Sequence, residues 1–224
     1  MTTDQSSRPA NSTAIPNKWL KILGYTALTG LLAIGIVLIY VSTLPDDFRY
    51  QRSALMQAPP ESVFPLVNNF HEWGKWSPWE NIDPNLKRTY EGAESGKGAV
   101  YSWVGNAEVG EGKMEIEESK PSELISIKLE FFKPFAGVCP TKFQFEPSGD
   151  GTKVTWTMEG KNHFIAKAMC LLIDMDKMIG KNFEDGLEKL NKASAARLQA
   201  TKSEQPQEAS SAEPKEPSEK PIQK

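Results

Sequence analysis

The chain has 224 residues, with 26 Lys and Arg against 29 Asp and Glu, for a formal net charge of -3. That length fits one ordinary domain with appendages, and the near-neutral balance gives no electrostatic reason for a nucleic-acid partner. Cys139 and Cys170 make neither a disulfide framework nor a metal-type spacing, and His71 and His163 are far apart, so no metal site and no cofactor are expected.

Residues 1–17 are polar and read as a disordered leader. Asn11-Ser12-Thr13 fits a glycosylation acceptor, a pattern common by chance. Residues 18–44 follow as a transmembrane helix. From Ile22 to Leu44 there is no charged residue, and about 20 apolar residues at 1.5 Å each span a bilayer core of about 30 Å. Trp19, Tyr25 and Tyr40 stand towards its ends, where amphipathic rings favour the interface. The competing reading is a cleaved signal peptide, but the run is longer than the usual apolar core of one and lacks a clear small-x-small site. Lys18 and Lys21 precede the span and Asp46 and Asp47 follow it. This charge order predicts a single-pass cell-membrane protein with a cytoplasmic N-terminus and an extracytoplasmic main domain.

Residues 46–195 read as one domain. Residues 46–59 alternate as a strand that stops at Pro59-Pro60, and residues 61–70 form a short helix with Val63, Phe64 and Val67 on its apolar side. Trp73, Trp76 and Trp79 then crowd into an irregular stretch around Pro78. Strands follow at 86–92, 99–105, 108–119, 123–132, 141–147 and 152–159. In the fourth of these, Ile125, Ile127, Leu129 and Phe131 share one face while Ser126, Lys128 and Glu130 take the other. Such alternation marks an antiparallel sheet wetted on one side. A long helix from Ala166 to Ala195 closes the domain, with Leu172, Ile179, Phe183, Leu187 and Leu190 in one stripe against the sheet. The fold class is therefore α+β, a curved antiparallel sheet around a long C-terminal helix. Residues 196–224 hold little apolar content and read as a disordered tail, with Pro214-Lys215-Glu216-Pro217 as a weak Pro-x-x-Pro match.

The order of elements, with Ala58-Pro59-Pro60-Glu61-Ser62-Val63-Phe64, Trp76-Ser77-Pro78-Trp79, Gly98-Ala99-Val100-Tyr101-Ser102-Trp103, Gly151-Thr152-Lys153-Val154-Thr155-Trp156 and Phe183-Glu184-Asp185-Gly186-Leu187, resembles the START/Bet v 1-like (SRPBCC) superfamily. More narrowly, it resembles the bacterial polyketide cyclase/dehydrase-type branch. The resemblance spans about residues 48–192. It implies a helix-grip fold whose cavity, in relatives, holds lipids, hormones, polyketides or other apolar ligands. It implies no catalytic residue, because the superfamily has no universal catalytic motif. The membrane span departs from the small soluble members.

Gly92-Ala93-Glu94-Ser95-Gly96-Lys97-Gly98 has three residues between its first glycines and Gly98 after the lysine, so it reads as a hairpin turn rather than a phosphate loop. Asp174 and Asp176 point about 200° apart on a helix and share no site. Asp174 faces solvent. Asp176 falls in the apolar stripe, where a carboxylate needs a nearby arginine or backbone donor, or a place on the cavity. Gly180 and Gly186 make space on the same stripe for either a close strand or a cavity. The tryptophans are read first as a locked corner and second as a ligand mouth. The candidate cavity residues are Trp76, Trp79, Tyr101, Trp103, Met114, Ile127, Phe143, Trp156, Asp176, Gly180 and Phe183. The expected function is a membrane-anchored module binding an apolar or amphipathic small molecule. The alternatives are a cyclase-, dehydrase- or hydrolase-like enzyme in the same groove, or a structural protein of the envelope. The absence of a nucleophile–base constellation disfavours the enzyme reading.

Overall fold

The computed structural model describes residues 17–204. The leader up to residue 16, its Asn11-Ser12-Thr13 pattern and the chain beyond Glu204, including Pro214 and Pro217, lie outside the described residues.

Helix α1 (Asn17–Thr43) is long and apolar enough over Lys21–Thr43 to cross a membrane, and most of its apolar side chains, Leu23, Leu31 and Ile39 among them, stand exposed while Val41 is buried. Three residues later the chain enters β1 (Asp47–Met56). Six further strands follow: β2 (Lys87–Gly92), β3 (Ala99–Val104), β4 (Glu111–Lys120), β5 (Leu124–Lys133), β6 (Gly137–Ser148) and β7 (Gly151–Lys161). All pairings are antiparallel and the sheet order is β1-β7-β6-β5-β4-β3-β2. The period-2 alternation holds: Gly112, Met114 and Ile116 on β4 turn inward together, as do Ile125 and Ile127 on β5.

Between β1 and β2 lie α2 (Pro60–Asn68) and a 3₁₀ helix (Phe70–Lys75). Pro60 begins α2 and Pro65 falls inside its first two turns. The last carbonyls of a helix lack intrahelical partners. Here two indoles supply them: Trp76 Nε1 donates to Leu66 O at 2.8 Å and Trp73 Nε1 to Val67 O at 3.0 Å. The tryptophan-rich bend is thereby fixed to the helix before it, and both rings bury against Phe143.

The expected single helix from Ala166 to Ala195 is two helices. Helix α3 (Phe164–Cys170) ends at a turn, and α4 (Met175–Glu204) begins afresh. The cause is Asp174, whose Oδ1 accepts from the backbone N–H of Lys177 at 3.0 Å, an N-cap that starts a new helix. Leu172, expected to cover the sheet, is instead 87% exposed on the turn. Phe183, Leu187 and Leu190 do bury against the sheet. The expected tail also needs correction: helix continues through residues 196–204, where Leu198 still packs on the core.

Candidate functional site

A cavity of about 240 Å³ lies between the inner face of the sheet and the first turns of α4. Strands β3, β4 and β5 supply Tyr101, Trp103, Met114, Leu129 and Phe131, and β6 and β7 supply Thr141, Trp156 and Met158. Ile179 and Phe183 of α4 cover it, and Trp73, Ser77, Trp79 and Glu80 close one side. Leu86, Glu108 and Val109 complete the lining. Among the expected residues, Trp79, Tyr101, Trp103, Met114, Trp156 and Phe183 therefore stand on the cavity wall.

Three others stand behind that wall. Trp76, Ile127 and Phe143 are fully buried in the adjoining core. Trp76 and Phe143 pack edge to face with centroids 5.9 Å apart. Asp176 and Gly180 are not on the cavity. Asp176 is the carboxylate satisfied by an arginine: Arg52 Nη2 donates to its Oδ2 at 3.0 Å, and Arg52 Nε donates to Glu184 Oε1 at 3.0 Å. Those two hydrogen bonds hold the Arg52 guanidinium above its ordinary pKa. Gly180 makes room for the same guanidinium, since a Cβ there would lie 1.9 Å from Arg52 Nη2. Gly186 serves close packing, as its Cβ would meet the Trp156 ring at 2.9 Å and Pro78 at 3.1 Å.

Two polar wall residues, Glu80 and Tyr101, join Arg88, which stands outside the lining, in a triad that spans a turn and two strands. Glu80 is buried, its Oε1 accepts from the Tyr101 hydroxyl at 2.7 Å and its Oε2 from Arg88 Nε at 2.6 Å. Arg88 Nη2 also donates to the Glu80 backbone carbonyl at 2.6 Å. Burial pushes the Tyr101 phenol far above its ordinary value, and the bond to Glu80 adds to it. The hydrogen bond to Glu80 likewise raises Arg88. Sequence reasoning missed Glu80 and Arg88, because residue 80 sits in irregular chain with no periodicity to report its direction. Leu129, Thr141, Met158 and Ile179 were visible only as inward positions of their elements, with nothing to separate cavity wall from filled core.

Trp156 stacks its ring on Phe183, with centroids 4.1 Å apart and planes 4° from parallel. Its Nε1 is buried and, among the described residues, is the one buried side-chain polar atom without a hydrogen-bond partner. Such an orphan donor costs about 1–3 kcal/mol of desolvation. Among the described residues no cluster of His, Cys, Asp and Glu has metal-binding geometry.

A curved seven-stranded sheet gripping one long helix over an apolar cavity defines the helix-grip class. Residues 47–195 match the family model described as polyketide cyclase/dehydrase and lipid transport, and the chain belongs to that family. The fold is similar to that of a protein of unknown function from Staphylococcus aureus, with a TM-score of 0.52, 12% identity, and coverage of 69% of this chain and 98% of that one. It is also similar to an uncharacterized protein from Rhizobium leguminosarum, with a TM-score of 0.51, 14% identity, and coverage of 68% and 97%. At such identities the likeness is one of fold. No curated protein matches the chain.

Proposed function

We propose that the chain is a membrane-anchored binding module that holds an apolar or amphipathic small molecule in the cavity behind Trp79 and Phe183. The observation that carries this reading is the partnerless indole N–H of Trp156, a member of the cavity wall. A ligand with a hydrogen-bond acceptor on an apolar body would satisfy that donor and fill the space beside it. Both oxygens of Glu80 are engaged by Tyr101 and Arg88, which favours a fixed polar landmark over a proton carrier. The anchor in this reading is α1, with Lys18 and Lys21 on the cytoplasmic side and the domain outside.

Native mass spectrometry of the full chain, released from detergent micelles, tests the binding. The wild type should retain a small molecule, and Met158→Trp, which adds a ring inside the cavity, should lose it while keeping its urea midpoint. Equal retention by the variant, or a clean apo mass for the wild type, counts against the reading. Protease added to intact spheroplasts should reach the domain; protection would reverse the orientation.

A further inference from the structure

Most of the large apolar side chains exposed beyond α1 fall in two segments. One is α3 with the turn after it, where Phe164, Ile165, Met169, Leu171, Leu172 and Ile173 stand in solvent. The other is the tip of the β5–β6 hairpin, with Phe132 at the end of β5, Phe135 in the connection and Val138 at the start of β6. Both lie at the same end of the sheet. Asp47 at the start of β1 pairs with Lys161 at the end of β7, and Phe131 near the end of β5 pairs with Gly137 at the start of β6. Val138 and His163, the residue just before α3, border a single open depression.

That end is also where α1 joins the domain. Three residues separate Thr43 from Asp47, a reach of about 14 Å even when fully extended. The joint is fixed by a buried lysine on α3. Lys167 Nζ donates to Leu44 O at 2.8 Å and pairs with the Asp46 carboxylate, which lowers the pKa of Asp46. Val41 is buried near this joint. The exposed apolar surface of α1 therefore runs into that of α3 with a fixed geometry. Phe131 lines the cavity, and the next residue of the strand, Phe132, is exposed on the opposite face of β5.

We infer that α3 with its turn, residues 164–173, and the tip of the β5–β6 hairpin, residues 132–138, form a second membrane contact. They sit in the interfacial layer of the leaflet in which α1 ends. This rests on α1 being a retained anchor. The occupant is the bilayer because the patch continues the surface of a helix built to lie in lipid, and the joint holds it within a few residues of the membrane plane. Apolar side chains of an interfacial segment bury about 5–10 Å below the headgroups, a depth that Leu172 and Phe135 can occupy without unfolding anything.

The test uses the full chain in vesicles of phosphatidylcholine and phosphatidylglycerol. In a Cys139→Ser, Cys170→Ser background, single cysteines at Leu32→Cys, Phe135→Cys, Leu172→Cys and Lys153→Cys carry an environment-sensitive dye. Leu172 and Lys153 are exposed, so the labels there do not tax folding. Lipids bearing a quencher deep in the chain should quench the dye at 32. Lipids bearing it near the headgroup should quench the dyes at 135 and 172 and leave that at 153 bright. If 32 is quenched while 135 and 172 match 153, the second contact is wrong and the anchor stands. A blue-shifted but unquenched dye at 172 would assign the patch to a protein partner and also overturn the inference. If 32 escapes quenching, the anchor reading fails first, and the second contact falls with it.

Discussion

Strand β5 passes through two different interiors. Ile125 and Ile127 are essentially inaccessible, while Leu129 and Phe131, on the same face of the same strand, are only half buried. Over the first pair sits a dense plug of aromatic rings from α2, the 3₁₀ helix and the strands: Phe64 on Phe145, Trp73 and Trp76 on Phe143, and Phe143 on Trp156. Over the second pair lie the first turns of α4, the side of Trp79 and the Trp103 ring against Phe131, and the space left between them is the cavity. Alternation decides which way a side chain points. The thickness of what covers it is decided elsewhere in the chain, here by a nine-residue helix and a bend.

The largest expected effect tests that contrast within one strand. Ile127→Ala should cost about 2–5 kcal/mol, the range for truncating a fully packed aliphatic side chain. Leu129→Ala, beside existing space, should cost about 1–2 kcal/mol, because it gives up less buried area. Urea melts of both variants measure the difference. Equal losses would mean that the cavity closes in solution and the two halves are one core.

The same contrast separates what was legible in the sequence from what was not. Charged and apolar residues alternate so regularly from Glu111 to Glu130 that the sheet and its dry face follow from pattern alone. The stripe Phe183, Leu187, Leu190 likewise announces its helix. The break at Leu171–Asp174 was hidden by an apolar run, Leu171-Leu172-Ile173, that continues a helical pattern while facing solvent. Its signal was present in Asp174, a capping residue directly before Met175, and was outweighed by periodicity. The cavity wall was legible only in part. Trp103 and Trp156 declare themselves by alternation, whereas Glu80 points inward because Tyr101 and Arg88, 21 and 8 residues away, draw it there. Such long-range polar contacts have no local signature.

Tyr101→Phe probes the polar side of the cavity and should have a middling effect. Losing the hydroxyl leaves Glu80 one donor short, at about 1–2 kcal/mol at neutral pH. The pH dependence is more specific. Burial raises the phenols of Tyr101, Tyr90 and Tyr50 above their ordinary value in the folded chain. The fold thus favours the neutral form, and that stabilisation is complete below the unfolded value of about pH 10. It is lost as pH rises further and the unfolded chain ionises. Stability should therefore fall above about pH 10, and the Tyr101→Phe variant should fall less steeply. Denaturant melts at several alkaline pH values check this, and identical slopes would mean that Tyr101 is open to solvent.

The smallest effect belongs to the stripe position outside the cavity. Asp176→Asn removes one charge from a cluster in which Arg52 keeps several acceptors. Arg52 still donates to Glu184 at 3.0 Å, to the backbone carbonyl of Asp176 at 3.0 Å and to that of Gln51 at 2.9 Å. The Asp176 side chain is 59% exposed, so water replaces much of what the carboxylate supplied. An exposed pair of this kind contributes about 0–1 kcal/mol, and the urea midpoint should move correspondingly little. Ligand retention in native mass spectrometry should not move at all, because Asp176 lies off the cavity wall. Gly180→Ala gives the steric control: a Cβ at that position collides with the Arg52 guanidinium and should cost more than the lost charge. If Asp176→Asn instead weakened ligand retention while leaving the melt unchanged, the occupied cavity would have to extend past Ile179 to the Arg52 cluster, and the hollow half of the grip would be larger than the space behind Trp79 and Phe183.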